Sequence, residues 1–79
     1  MTKSRFSPAY QVLIEELVAA RKAASLTQQQ VADALGKPQS FVAKYENGER
    51  RLDLVEFLMV VEAIGTNPSP VIRKVRHVF

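Results

Sequence analysis

Residues 26–48 decide the fold and read LTQQQVADALGKPQSFVAKYENG. Near the start of this stretch, the Thr27 hydroxyl can accept a hydrogen bond from the Gln30 amide while the Gln30 side chain accepts one from the Thr27 amide. This reciprocal capping box is typical of the first turn of a helix. Gly36 can end that helix, because glycine adopts the left-handed conformation without steric strain. The pattern predicts a short helix over about 28–35.

A second short helix follows after a turn of about four residues. Pro38 can pre-set its first turn and Asn47-Gly48 can end it, which predicts a helix over about 38–47. The contact between the two helices has residues suited to a steep crossing. They are a small residue, a left-handed glycine and a stiff β-branched plug, namely Ala32, Gly36 and Val42. Together these features predict a helix-turn-helix.

Three further helices complete the chain. Each begins near a residue that can cap a helix N-terminus, and their predicted bounds are about 8–24, 54–64 and 68–76. In the second of them, Asp53 and Glu56 repeat the capping-box pattern. No segment alternates apolar and polar residues as a strand would. The sequence therefore predicts an all-α, five-helix bundle with a central helix-turn-helix, in one domain over residues 1–79.

Composition limits the classes of function. The absence of cysteine excludes a disulfide framework, thiolate zinc sites and cysteine nucleophiles. The single histidine, His77, lacks neighbouring ligands for a metal, and no residues are arranged for nucleophilic or acid–base catalysis. We therefore predict that the protein is not an enzyme and has no metal site and no cofactor. No apolar stretch is long enough to cross a membrane, so we expect a cytoplasmic protein without a membrane partner.

A series of residues across about 12–72 resembles a known family. In order, they are Leu26-Thr27-Gln28, Ala32, Gly36, Gln39-Ser40, Val42, Glu46-Asn47-Gly48 and the capped helix after Leu52. In this series the chain resembles the lambdoid phage repressor and Cro-like helix-turn-helix proteins, the xenobiotic-response-element regulator class. The resemblance implies a lambda-repressor-like DNA-binding domain whose second short helix enters the major groove of double-stranded DNA. The implied function is a sequence-specific transcriptional regulator, expected to be a repressor.

The resemblance places base-reading residues on the second short helix. Gln39 can offer its amide oxygen and nitrogen together to adenine, a contact worth about 1–3 kcal/mol of discrimination. Ser40 fits several bases, Ala43 could contact a thymine methyl group, and Lys44 could reach guanine or a phosphate. The alternative for Gln39 and Lys44 is a solvated position on an exposed helix face.

Phosphate contacts are expected at the edges of the motif. Gln28 lies at a helix N-terminus, which attracts anions, and the resemblance implies that it clamps the DNA backbone. The other candidates are polar or basic residues of the turn and of the loop after the second helix: Lys37, Asn47, Arg50 and Arg51. For the two arginines, a solvated loop is the alternative. The resemblance also implies that Glu46 pairs with Arg21 of the first helix and braces the motif from behind.

Two aromatic residues of the second short helix are expected to serve the core. Phe41 departs from the polar residue common there in the family, and we expect it to cover the edge of the core. We expect Tyr45 to be buried, with its hydroxyl group reaching the surface.

The last helix carries more apolar residues than a small core needs: Val71, Ile72, Val75, Val78 and Phe79. Because family members dimerise through this region, we expect a symmetric homodimer on an inverted-repeat operator. The second short helix of each protomer, its recognition helix, would lie about 34–36 Å from that of the other protomer. The alternative is that this helix only closes its own monomer. The basic residues Arg73, Lys74 and Arg76 could contact DNA or only keep the helix soluble.

Two other functions fit parts of the sequence. An antitoxin-like or restriction-modification controller protein would use its apolar C-terminal surface to bind an unidentified protein partner. Non-specific nucleoid or RNA binding is disfavoured by the modest net charge of +3 and by the absence of aromatic stacking pairs.

Overall fold

The structure, a computed structural model, describes residues 7–79. Within this range it contains five helices and no strand: α1 Pro8–Ala23, α2 Gln28–Leu35, α3 Gln39–Glu46, α4 Leu54–Ile64 and α5 Pro68–Val78. The predicted all-α, five-helix fold is confirmed, and each helix bound lies within two residues of its prediction. Pro38 has an extended backbone and caps α3 rather than beginning it. None of the five helices has the length and hydropathy of a membrane span.

The predicted capping residues hold the helix ends. The Thr27 hydroxyl accepts from the Gln30 amide at 3.1 Å, and the Gln30 side chain accepts from the Thr27 amide at 2.8 Å. Asp53 and Glu56 form the same reciprocal pair at 2.7 and 3.0 Å. Gly36 ends α2 with a φ of 70°, a left-handed conformation that disfavours side chains with a Cβ atom. These local bonds fix the starts of α2 and α4, and Gly36 begins the turn that leads from α2 to α3.

One hydrophobic core joins all five helices. Its buried members are Ile14, Leu17, Val31, Ala32, Val42, Tyr45, Leu52, Phe57, Val60, Val61, Ile64 and Val71. Ala32 and Val42 are completely buried, as the predicted crossing of α2 and α3 requires. The helix α3 packs mainly on α2 and also on α1, whereas α5 packs on α1. This arrangement leaves the opposite side of α3 open to solvent.

Val71 is predicted to belong to a dimer interface, and this prediction is wrong. Val71 is only 5% exposed and belongs to the core, because it anchors the start of α5 within its own chain. It therefore has no surface to offer to a second protomer. Ile72, Val78 and Phe79 remain 44%, 41% and 89% exposed, and Val75 is half-buried.

Tyr45 is predicted to have a buried ring and a hydroxyl group at the surface, and the second part of this prediction is wrong. Its ring is completely buried as expected, but its hydroxyl group is buried too and has no hydrogen-bond partner among residues 7–79. The side chain points from the last turn of α3 into the core, and burial raises the pKa of the phenol well above its usual range. Phe41 packs edge-on against this ring, with centroids 5.8 Å apart, and covers the edge of the core as expected.

Candidate nucleic-acid interface

The solvent-facing side of α3 carries the predicted base-reading residues. Gln39, Ser40 and Lys44 are exposed, and Ala43 is half-buried beside them. On the opposite side of the same helix, Val42 is completely buried. The buried side of α3 thus packs on the core while its polar side chains remain accessible to solvent. A helix that enters the major groove of DNA requires this geometry.

A buried ion pair connects α1 to the end of α3. The Arg21 guanidinium donates to both carboxylate oxygens of Glu46, at 2.7 and 3.1 Å, and its remaining Nη1 donates to the Leu26 carbonyl oxygen at 2.9 Å. The two charged side chains are only 12% and 6% exposed. The pairing implied by the family resemblance is therefore confirmed. Hydrogen bonding to Glu46 also raises the pKa of Arg21, so this guanidinium stays charged.

The ion pair continues into a chain of amide hydrogen bonds. Gln28 Nε2 donates to Glu46 Oε1 at 2.9 Å, and Gln28 Oε1 accepts from Gln39 Nε2 at 2.9 Å. The predicted phosphate contact and the predicted first base reader are therefore direct neighbours. Each of these two amides has a second N–H that none of these bonds uses. We call the chain Arg21–Glu46–Gln28–Gln39 the polar relay.

Arg50 has a structural role that the sequence analysis missed. Its guanidinium donates to both carboxylate oxygens of Glu56, at 2.7 and 3.0 Å, and to the Arg51 carbonyl oxygen at 3.0 Å. It also lies over the Phe41 ring, 4.7 Å from the ring centroid. Arg50 therefore ties α3 to the start of α4. Its contact with DNA phosphate stays a prediction, now for a cation whose charge is already matched by a carboxylate.

The same ion pair changes the acidity of Glu56. The Arg50 guanidinium, followed by the Asp53 backbone amide, lowers the pKa of Glu56 to about 2. The sequence contains only part of the signal for this pair. It predicts Glu56 as a capping residue six positions after Arg50, but a capping role does not indicate a second partner.

The remaining predicted phosphate contacts lie around α3. Lys37 and Asn47 are exposed at the two ends of the helix, and the Lys37 ammonium group is 5.4 Å from the centroid of the Phe41 ring. Arg51 is also exposed, with its guanidinium 4.5 Å from the centroid of the Tyr10 ring. The Phe41 ring thus contacts two cations, Lys37 from the turn before α3 and Arg50 from the loop after it. These positive charges lie near the exposed residues of α3 that are predicted to read bases.

A second surface, on α4 and α5, is apolar. Its large side chains are more than 40% exposed, and they are Leu54, Val55, Leu58, Met59, Ile72, Val78 and Phe79. A groove of about 370 Å³ lined by Leu54, Ile72, Val75 and Phe79, among others, connects the two helices. We call this region the apolar surface. Its α4 part was missed from sequence, although α4 has more apolar residues than one buried helix face can hold.

Comparison with known proteins identifies the family. A helix-turn-helix family model of the Cro/C1 type matches residues 17–71. Among solved structures, an XRE-family like protein from Pseudomonas syringae pv. tomato str. DC3000 is 47% identical, with a TM-score of 0.83, over 89% of this chain and 85% of that chain. No curated protein matches the chain. The matched segment contains both helices of the motif and the whole polar relay, and the chain belongs to the Cro/C1-type helix-turn-helix family, whose members are DNA-binding transcription regulators and not enzymes.

Proposed function

We propose that the protein is a sequence-specific repressor that occupies an inverted-repeat operator as a homodimer. In each protomer, α3 would enter the major groove with its first residues at the base edges. The hydrogen bond between Gln28 and Gln39 carries the proposal, because it joins the residue proposed to contact phosphate to the residue proposed to read a base. Operator occupancy would need no effector or cofactor and would follow the concentration of the protein in the cytoplasm.

The proposed contacts divide between the solvent-facing side of α3 and the residues that surround this helix. Base reading is assigned to the residues on its solvent-facing side: Gln39, Ser40, Ala43 and Lys44. Phosphate contacts are assigned to the polar and basic residues around it: Gln28, Lys37, Asn47 and Arg51, with Arg50 as a weaker candidate because Glu56 matches its charge. Phosphate contacts of this kind would set the register of the helix in the groove.

The homodimer is proposed through the exposed part of α5. Ile72, Val78 and Phe79 are uncovered in the single chain, and a cluster of exposed apolar side chains favours an interface. The chain measures 32 × 27 × 22 Å. These dimensions allow the α3 helices of two adjacent copies to lie about one turn of DNA apart, about 34–36 Å, as the proposed dimer requires.

Selection of bound duplexes from a random pool tests the proposal. We expect one enriched inverted repeat with half-sites about 10–10.5 base pairs apart, centre to centre. The complex with that duplex should contain two protein chains by sedimentation. Binding without enrichment of any sequence would contradict sequence-specific regulation, and a complex with one chain per duplex would contradict the homodimer.

The apolar surface supports a second candidate function. An antitoxin-like or controller protein would use these uncovered side chains to bind an unrelated protein, with DNA binding secondary. Purification of the tagged chain from its native host tests this possibility. A stoichiometric complex in which the partner loses its own activity would favour the second function over autonomous repression.

A further inference from the structure

The polar relay determines which way two glutamine amides point. A carboxylate only accepts hydrogen bonds, and Glu46 is held in place by the two bonds from Arg21. Gln28 can therefore turn only its NH₂ group toward Glu46, as it does at 2.9 Å. Its carbonyl oxygen must then point to α3, where it accepts from Gln39. The direction of both amides thus follows from the charge on Glu46.

This direction decides what Gln39 offers to a ligand. One N–H of Gln39 is used by Gln28, which leaves the other N–H and the carbonyl oxygen. One donor beside one acceptor matches the major-groove edge of adenine, which presents the N7 acceptor and the N6 donor. Guanine presents two acceptors, N7 and O6, and needs both N–H groups of an amide.

Reading guanine would require both amides to reverse. If Gln39 turned its NH₂ group to the base, its oxygen would face the Gln28 oxygen, because that oxygen and not the Gln28 nitrogen lies beside Gln39. To donate from that place, Gln28 would have to exchange the positions of its oxygen and nitrogen. Gln28 would then direct its own oxygen at the Glu46 carboxylate, and the bond at 2.9 Å would become a repulsive contact. The Glu46 side chain is only 6% exposed, so water has little access to relieve that contact.

We propose that Arg21 and Glu46 are positioning residues that impose a preference for adenine over guanine on Gln39, acting through Gln28. This inference rests on the proposed function, since it requires Gln39 to read a base. It adds that a nearly buried ion pair at the α1–α3 contact, and not only the side chain that reads the base, determines base selection.

Two substitutions test the proposal. The measured quantity is the ratio of the dissociation constants for two operators, one with guanine and one with adenine at the operator position that Gln39 is proposed to read. That position is the one at which Gln39→Ala loses its preference. Glu46→Gln provides an amide that can accept or donate, so Gln28 can reverse. Gln28→Leu keeps the Arg21–Glu46 pair but removes both bonds of Gln28. For each variant we expect the ratio to fall about tenfold toward equality.

The ratio separates positioning from other effects. Loss of a phosphate contact from Gln28, or partial loss of folding in Glu46→Gln, weakens both operators equally and leaves the ratio unchanged. Gln29→Leu, at an exposed neighbouring position on α2, is the matched control and should keep the wild-type ratio.

The outcomes distinguish this proposal from the function on which it rests. If the wild-type protein selects an operator but Gln28→Leu retains the full preference for adenine, the relay does not select the base. A wild-type preference for guanine at the Gln39 position would overturn the proposal as well. If the wild-type protein selects no sequence at all, the proposed function fails, and the inference fails with it.

Discussion

The surface around α2 and α3 and the apolar surface on α4 and α5 differ in how their side chains are held. In the first, the exposed Gln39 is joined through Gln28 to a buried ion pair. In the second, Leu54 and Phe79 are 70% and 89% exposed and extend from the core into solvent. A surface with fixed polar groups is prepared to recognise a ligand without rearrangement, whereas an uncovered apolar surface gains free energy when a partner covers it. The following substitutions test this difference, from the largest expected effect to the smallest.

Arg21→Ala should have the largest effect, because it breaks the support of the α2–α3 surface. Removing the guanidinium leaves the nearly buried Glu46 carboxylate without its cation. We expect the free energy of unfolding to fall by about 3 kcal/mol, as for other broken buried pairs. In a domain of this size, that corresponds to a melting temperature lower by roughly 12–24 °C.

Thermal and urea denaturation followed by circular dichroism will measure this loss. Lys22→Ala, at the exposed neighbouring position, is the control and should change the unfolding free energy by less than about 0.5 kcal/mol. An Arg21→Ala protein as stable as this control would show that the ion pair does not hold the surface.

Ile72→Glu tests the apolar surface and should have the next largest effect. A charge within the proposed interface should separate the protomers, and loss of bivalent binding should weaken operator affinity about a hundredfold. Sedimentation and operator titration measure the two consequences. Leu58→Glu, on the α4 part of the surface and away from the groove that α5 lines, should leave both unchanged. If Leu58→Glu dissociates the dimer and Ile72→Glu does not, the interface lies on α4.

Gln39→Ala and Lys37→Ala separate two kinds of contact on the α3 surface. Gln39→Ala should remove about 1–3 kcal/mol of discrimination at one operator position. Lys37→Ala should weaken binding to all duplexes similarly and lower the slope of affinity against salt by about one unit. Titrations of matched and altered operators at two salt concentrations measure both effects, with Gln29→Ala as the control. Identical behaviour of the two variants would contradict the assignment of reader and phosphate contact.

The parts of the fold that sequence predicts well are those decided within a few residues. Thr27 with Gln30 and Asp53 with Glu56 cap their helices through bonds across three positions, so their spacing alone indicates them. Gly36 ends α2 for an equally local reason. Helix bounds therefore agreed with the structure, while the Arg21–Glu46 pair, 25 positions apart, was expected only from the family resemblance.

The parts that sequence did not predict depend on packing between distant elements. Periodicity placed Val71 among the apolar residues of α5, but only the contact of α5 with α1 shows that it is buried. The bond between Gln28 and Gln39 depends on how α2 and α3 cross. Arg50 could have faced solvent or Glu56, and only the position of the loop over Phe41 decides between them.

Glu56→Gln should give the smallest effect, because the Arg50–Glu56 pair is partly exposed to solvent. Glutamine preserves the capping box, since its oxygen can still accept from the Asp53 amide, but it removes the ion pair. The pKa of Glu56 is lowered from 4.5 to about 2 in the folded state. The pair therefore stabilises the fold above pH 4.5, and this contribution is lost as the pH falls toward 2.

Unfolding measured at several pH values should show a smaller loss of stability between pH 5 and 2 for Glu56→Gln than for the wild type. Glu62→Gln, exposed on the same helix, should follow the wild-type curve, and coincidence of all three curves would show that the link between α3 and α4 does not depend on this charge.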